Sequence, residues 1–242
     1  MFDPIIQYLK ENSFRPGVLN LFFNPFYFAR KGLYENISAM GKHINGKTLD
    51  IGCGQKPYEE VFNASQYIGL EIDSIENREN KKADKFYDGK NFPFNDHEFD
   101  SVVLFQVFEH VFNPFDFLSE INRVLKVGGI LLMTVPFVWD EHEQPYDYAR
   151  YSSFGLKSII EQNGFSVIEQ RKSMKDIRVV FQLANDYVCK KMVTRKGYIK
   201  LFIALMIIII SNISGELLSK VLPENDDLYI DNIILAKKQI DI

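Results

Sequence analysis

The residues best suited to chemistry gather around one short turn. Leu49-Asp50-Ile51-Gly52-Cys53-Gly54 reads as the end of a strand followed by a glycine turn. Gly52 and Gly54 let the main chain approach a ligand where a Cβ would collide. A helix opening at Pro57 would then offer free N–H groups to an anionic group. Asp50 can accept from an ammonium or order the turn through water. Glu71 closes the next apolar run, where an acid can accept hydrogen bonds from a ribose diol, and Asp73 is the second candidate for that task. The dinucleotide fingerprint G-x-G-x-x-G fails at Pro57, and no Gly-Lys-Ser/Thr phosphate loop is present. Taken alone, the glycine pair reads equally as a tight turn.

Two histidines follow later strands. His110 comes just after the apolar run 100–107, and His142 lies within 139–151. The stretch Asp140-Glu141-His142-Glu143-Gln144-Pro145-Tyr146-Asp147-Tyr148-Ala149-Arg150-Tyr151 packs acids, amides, tyrosines, a histidine and an arginine into one loop. So many donors and acceptors suit a polyhydroxylated or charged partner. The alternative is a solvated loop whose tyrosines pack on the domain.

These residues need a scaffold. Leu33, Ile37, Met40 and Ile44 recur at helical spacing, so a helix is expected to end near Asn45-Gly46. Strands are expected at 48–51, 67–72, 85–87, 100–107, 130–135, 165–168 and 228–235. Helices are expected at 58–64, from Pro114 behind an Asn113 cap, and from Ser152 or Ser153 to a stop at Gly164. Strands that alternate with helices and are apolar throughout predict an α/β fold, a parallel sheet covered by helices on both faces. One domain over 1–242 is expected: a helical cap at 1–46, a core at 47–172, a helical insertion at 173–227 and a last strand within 228–242.

Composition bounds the function. The chain has 242 residues, 46% hydrophobic and 25% charged, which describes a globular protein with ample core. A net charge of −4 disfavours a partner bound through its phosphates, so no nucleic acid is expected. Cys53 and Cys189 are too few and too far apart for a disulfide framework, and no Cys/His spacing resembles a zinc site, so no metal is assigned. The first residues lack the basic-then-apolar order of a leader, which makes a cytoplasmic setting the default. Aromatics are abundant, with 21 Phe and 12 Tyr; most are expected to be core, and Phe105 is the one placed to face a cation.

Several motifs keep their order along the chain: Asp50-x-Gly52-x-Gly54, Gly69-Leu70-Glu71, Phe92-Pro93-Phe94 with Phe99-Asp100, Phe108-Glu109-His110-Val111, and Arg123-Val124-Leu125-Lys126-Val127-Gly128-Gly129. Over about residues 47–171 the chain resembles the class I S-adenosylmethionine-dependent methyltransferases of the type 11 group. The resemblance implies a Rossmann-like, seven-stranded, mostly parallel sheet with the last strand antiparallel. It implies S-adenosyl-L-methionine as cofactor. Asp50, Gly52 and Gly54 would line its methionine and ribose end, Glu71 would hold the ribose hydroxyls, Asp88 and Gly89 would sit by the adenine, and Gln106 by the methionine. Many members carry a glycine where this chain has Lys56, which puts the packing of the turn in question.

Methyl transfer to a hydroxyl needs a base near the methyl group, and His110 and His142 are the candidates. His110 has a second reading, as a residue that orients its loop. Tyr146, Tyr148 and Arg150 are the candidate acceptor-binding residues. The loop resembles those of glycan and surface-polysaccharide methyltransferases, so a small polar or glycan-like acceptor is the first expectation. The rivals are a lipid or quinone acceptor and a non-catalytic S-adenosylmethionine-binding protein. The lipid rival draws on the unbroken apolar run 201–210, which is short of the roughly 20 residues a membrane span needs. A buried helix or an interfacial anchor is expected there, with Lys190, Lys191, Arg195, Lys196 and Lys200 available to face anionic lipid.

Overall fold

A computed structural model describes residues 13–193 and 198–241. The leader expectation, and Arg195 and Lys196, fall outside the described residues. The chain forms two compact units, one built from residues up to Glu35 with Lys172–Ile230, the other from Asn36–Arg171 with Asp231 onwards.

The second unit is built on a sheet. Its strands are β1 (Asn45–Ile51), β2 (Asn63–Ile72), β3 (Lys85–Tyr87), β4 (Phe99–Phe105), β5 (Leu125–Pro136), β6 (Phe165–Lys172) and β7 (Asp231–Lys238), in the order β3-β2-β1-β4-β5-β7-β6. β1 pairs in parallel with β2 and β4, β2 with β3, and β4 with β5, whereas β7 runs antiparallel to β5. The expected fold class is therefore present. Parallel strands end at the same edge, so the turns after β1, β2, β3 and β4 all emerge there, which is where open α/β sheets hold ligands.

The helices are α1 (Asn20–Phe23), α2 (Tyr27–Gly41), α3 (Ile75–Asn80), α4 (Pro114–Val124), α5 (Ser153–Gln162), α6 (Arg178–Val188) and α7 (Tyr198–Leu218). Side-chain alternation along the strands separates two apolar layers. Val102, Leu104, Leu131, Met133 and Ile234 face Phe117, Leu118 and Ile121 of α4 and Leu156 and Ile160 of α5. Val103, Leu132, Ile233 and Leu235 face the other way, onto Met40 and Ile44.

Several boundaries differ from expectation. α2 ends at Gly41, and Asn45-Gly46 opens β1 instead, where Gly46 pairs with Ala64. The expected helix over 58–64 shrinks to one 3₁₀ turn, Glu59–Val61, because β2 starts at Asn63 to pair with Asn45. The glycine turn is therefore followed by a 3₁₀ turn and not by an α-helix. Gly128-Gly129 lies inside β5, which starts at Leu125, so the expected strand over 130–135 begins five residues earlier; Phe99 pairs with Leu125 and Ser101 with Ile130. Gly128 takes φ 81° to accommodate that bulge. Asn113 precedes Pro114 as expected, but its side chain makes no cap bond; Ser152 does cap α5, accepting from Gly155 N–H.

In the first unit, α6 and α7 pack against each other and α1 packs on α7. The apolar run 201–210 is part of the much longer helix α7. That helix buries a stripe of small and polar residues, Ala204, Ser211, Asn212 and Gly215, with Ile208. Asn212 does not break it, because Asn212 accepts from Asn185 and donates to the carbonyls of Leu21 and Asn24. Gly215 is required there, since a Cβ would stand 2.6 Å from the Phe28 ring. The large aliphatic and aromatic side chains, Ile199, Phe202, Ile210 and Leu217 among them, are exposed. Ile199–Leu218 is long and apolar enough to cross a membrane by length and composition.

Candidate cofactor and acceptor site

The glycine turn is built by backbone that only glycine holds without strain. Gly52 takes φ 68° and Gly54 φ 53°, in the left-handed region. Gly52 N–H donates to the Leu70 carbonyl at 2.8 Å, tying the turn to β2. A Cβ on Gly52 would stand 2.4 Å from the Val107 side chain, so the loop after β4 lies directly against this turn. Gly54 faces open space.

Glu71 ends β2 beside that turn. Its Oε1 accepts from Gly54 N–H at 2.8 Å, and the residue is largely buried. One carboxylate oxygen is thereby fixed, which aims the other. Asp73, its rival, is spent on a bidentate pair with Arg78, at 2.6 and 2.8 Å. Asp50 is buried under the turn and accepts from the Tyr67 hydroxyl at 2.8 Å. Burial pushes its carboxyl up to about 7, and the Tyr67 bond only partly offsets this.

Lys56 resolves the missing glycine. It adopts the left-handed φ of 55° that glycine would take there. Its Nζ pairs with Asp84 at 2.5 Å and lies over the Tyr67 ring. Asp84 in turn accepts from Gly69 N–H, at 2.7 Å. Gly69 leaves room for this chain, since a Cβ would meet Cys53 Sγ at 2.6 Å and Lys56 Cε at 2.7 Å.

The remaining expected cofactor residues follow the same strand edge. Asp88 is exposed, and its Oδ1 accepts from the N–H groups of Lys90 and Asn91. Gly89 takes φ 86° beside open space. Gln106 is left-handed at φ 58°, donates its side-chain amide to Thr134 at 3.1 Å and its N–H to the Thr134 carbonyl. Phe105 stacks with Phe62 and meets Tyr58 edge-on, within the aromatic layer.

His110 and His142 are brought together, ring centroids 4.8 Å apart. His110 Nδ1 lies 2.8 Å from the Tyr146 carbonyl. His142 Nδ1 lies 3.3 Å from the Asp147 carboxylate. Both Nε2 atoms turn toward Glu109 Oε1, at 3.8 and 3.9 Å. Glu109 has no exposed surface, and neither carboxylate oxygen has a hydrogen-bond partner among the described residues. Burial pushes its carboxyl up to about 8. Sequence reasoning gave Glu109 no role; its only signal was its place inside the Phe108-Glu109-His110-Val111 motif.

The loop over 139–151 is braced rather than loose. Arg150 grips Asp147 through two bonds of 2.6 and 2.7 Å and donates to the Asp140 carbonyl. That pairing holds the Asp147 carboxyl down at about 2. Tyr148 and Ala149 N–H groups donate to the Glu109 carbonyl. Of the three expected acceptor residues, Arg150 is thus engaged inside the loop. Tyr146 is exposed, and Tyr148 is exposed with its ring against Phe112.

Comparison with known proteins fits this arrangement. A family model described as a methyltransferase domain matches residues 49–133. Uncharacterized protein MJ1123 of Methanocaldococcus jannaschii is 27% identical over 179 residues, 68% of this chain and 82% of that protein. The fatty-acid O-methyltransferase of Mycolicibacterium smegmatis is 31% identical over 114 residues, 42% of this chain and 41% of that protein. The chain thus spans less than half of that enzyme. Among solved structures, the [4+2]-cyclase SpnF shares the fold with a TM-score of 0.56 and 20% identity, over 88% of this chain and 84% of that one. Phosphoethanolamine N-methyltransferase 2 of Haemonchus contortus, solved with S-adenosyl-L-methionine, has a TM-score of 0.53 and 20% identity, over 91% of this chain and 55% of that one. Residues 49–133 of the chain thus match a methyltransferase domain, with its motifs in place on a seven-stranded sheet. S-adenosyl-L-methionine is its cofactor. The fixed Glu71 carboxylate and the bare Gly52–Gly54 backbone are the features of this chain that fit it.

Two outcomes are expected from the turn itself. Gly54→Ala costs only left-handed backbone strain, about 1 kcal/mol, whereas Gly52→Ala also displaces Val107 and costs about 2–4 kcal/mol by urea unfolding. Equal costs would mean the Val107 contact is not made. For Asp50, the folded carboxyl titrates near 7 against an ordinary value of 3.8, so the native state holds the proton more tightly. Stability from this group is therefore full below about pH 4 and lost as pH rises to about 7. Asp50→Asn removes that loss, so its unfolding midpoint gains on the native protein's between pH 5 and pH 8. A constant gap would place the Asp50 pKa near its ordinary value.

Proposed function

We propose that the chain transfers the methyl group of S-adenosyl-L-methionine to a hydroxyl oxygen of a small polar, glycan-like acceptor. One observation carries the reading: the loop that bears His110 lies against the cofactor turn through Val107 and Gly52, and His142 joins His110 there. A methyl transfer is an in-line displacement, so the protein's work is to align the donor and acceptor and exclude water. A hydroxyl becomes a competent nucleophile as its proton leaves, and the Nε2 atoms of the two imidazoles are the groups to take it. Tyr146, Tyr148 and the acids of 139–151 supply hydrogen bonds to the acceptor, while Arg150 keeps the loop in shape. A cytoplasmic setting belongs to the same proposal.

Release of S-adenosylhomocysteine from purified protein with nucleotide-sugar and glycan pools tests this. Glu71→Ala is expected to weaken cofactor binding by about tenfold or more, reflecting a lost charge-assisted bond. His110→Ala and His142→Ala should bind cofactor normally, and at least one should lose about 100-fold or more in turnover. Full turnover in both would remove the imidazoles from the chemistry. A chain that binds the cofactor yet releases no product with any pool would favour the non-catalytic rival.

A second reading is favoured by α7, which hides its small residues and exposes its large apolar ones. Such a surface suits the headgroup boundary of a bilayer, with the exposed Lys200 and Lys220 facing anionic lipid. The acceptor would then be lipid-soluble, a class to which the substrate named for the fatty-acid O-methyltransferase relative belongs. Flotation with anionic liposomes is expected to carry the protein, and Phe202→Ser with Ile210→Ser to release it. No flotation at low salt ends this reading.

A further inference from the structure

We propose that Glu109, His110 and His142 together hold a divalent transition-metal ion of the zinc or ferrous class. One ligand atom from each lies within 4.8 Å of the other two. The two Nε2 atoms stand 3.8 and 3.9 Å from Glu109 Oε1. Ligands on a tetrahedral ion with bonds of about 2.0–2.2 Å stand about 3.4 Å apart. Closing the set draws the two Nε2 atoms about half an ångström toward Glu109 Oε1 and up to about 1.4 Å toward each other.

The groups behind the two rings decide which nitrogen offers a lone pair. The Tyr146 carbonyl can only accept, so His110 Nδ1, 2.8 Å away, carries the proton and Nε2 is bare. His142 Nδ1 faces two acceptors, the Asp147 carboxylate and the Asp140 carbonyl, each at 3.3 Å. Arg150 Nη2 also lies 3.4 Å from it, but that nitrogen already donates to Asp147 and to the Asp140 carbonyl. His142 Nε2 is therefore bare too. Two bare nitrogens thus converge on a fully buried carboxyl that has no hydrogen-bond partner among the described residues. Arg150, the cation that acts on Glu109 through space, is bonded to Asp147, so a bound metal ion would satisfy all three groups directly. Two imidazoles favour zinc-like ions over magnesium or calcium, which prefer oxygen. The exposed Glu143 carboxylate also lies 3.9 Å from His110 Nε2.

Three protein ligands leave positions open on the ion. Resting on the methyl-transfer reading, an acceptor hydroxyl would bind there. With both Nε2 lone pairs on the ion, the imidazoles would no longer be the base: the ion would lower the hydroxyl's pKa so that its proton passes to water. The alkoxide oxygen then bonds to the methyl carbon as the carbon–sulfur bond breaks. Its electron pair stays on sulfur as S-adenosylhomocysteine, and the metal is unchanged.

The test uses tag-free, chelator-stripped protein titrated with Zn²⁺ by calorimetry and with Co²⁺ by visible absorption. One ion per chain is expected, with a Kd of about 1 µM or tighter. Glu109→Gln and His142→Ala should each weaken it by about 10- to 100-fold or more, with cofactor affinity and thermal melt unchanged. His110→Ala serves if either variant fails to fold. No stoichiometric uptake by the native chain, or uptake unaffected by these substitutions, overturns the inference. A chain that turns over acceptor without metal overturns it while leaving the imidazoles as free bases. A chain that takes up the metal through these residues yet releases no S-adenosylhomocysteine supports it and counts against the proposed reaction instead.

Discussion

The arrangement depends on bare backbone at the carboxyl end of β1. Gly52 and Gly54 both sit in the left-handed region, and Gly52 has no space for a Cβ against Val107. That contact makes the turn after β1 and the loop after β4 neighbours. The loop leads directly into Glu109 and His110. Close packing between two loops is thus what would couple the proposed donor side of the site to the proposed acceptor side.

Around that contact, the carboxylates are sorted by what surrounds them. Glu71 is held by a backbone N–H of the turn, and Asp147 by a guanidinium that keeps it ionised. Asp50 and Glu109 are buried, and burial raises both. A buried acid without a compensating partner is costly, and such acids concentrate where a site is built for a ligand. Asp50 has its partner in the Tyr67 hydroxyl, whereas Glu109 has no hydrogen-bond partner among the described residues and lies near the two imidazoles.

The two compact units follow different packing rules. The sheet unit buries large aliphatic side chains in two layers, as a water-soluble domain does. In the other unit, α7 buries Ala204, Ser211, Asn212 and Gly215 and turns its bulk outward. Small residues allow close helix approach, and Asn212 gains the hydrogen bonds it needs from Asn185 and the turn after α1.

What the sequence determined by itself was local. Strand alternation with helices, the turn at Gly52–Gly54, the acid at Glu71 and the cap at Ser152 depend on neighbouring residues, so their types and spacing predict them. The limits appeared where distant chain decides. The helix expected over 58–64 gave way because β2 must start at Asn63 to pair with Asn45. Lys56 could not be understood without Asp84 and Tyr67, which hold it in a glycine's conformation. The run 201–210 is by itself too short for a membrane span, and only the partners of Asn212 let the helix continue beyond it. Above all, only the tertiary fold sets His142 beside His110 over Glu109. Their separation along the chain carries no spacing signal, and the loop between them closes through backbone bonds to the Glu109 carbonyl and the Asp147–Arg150 pair.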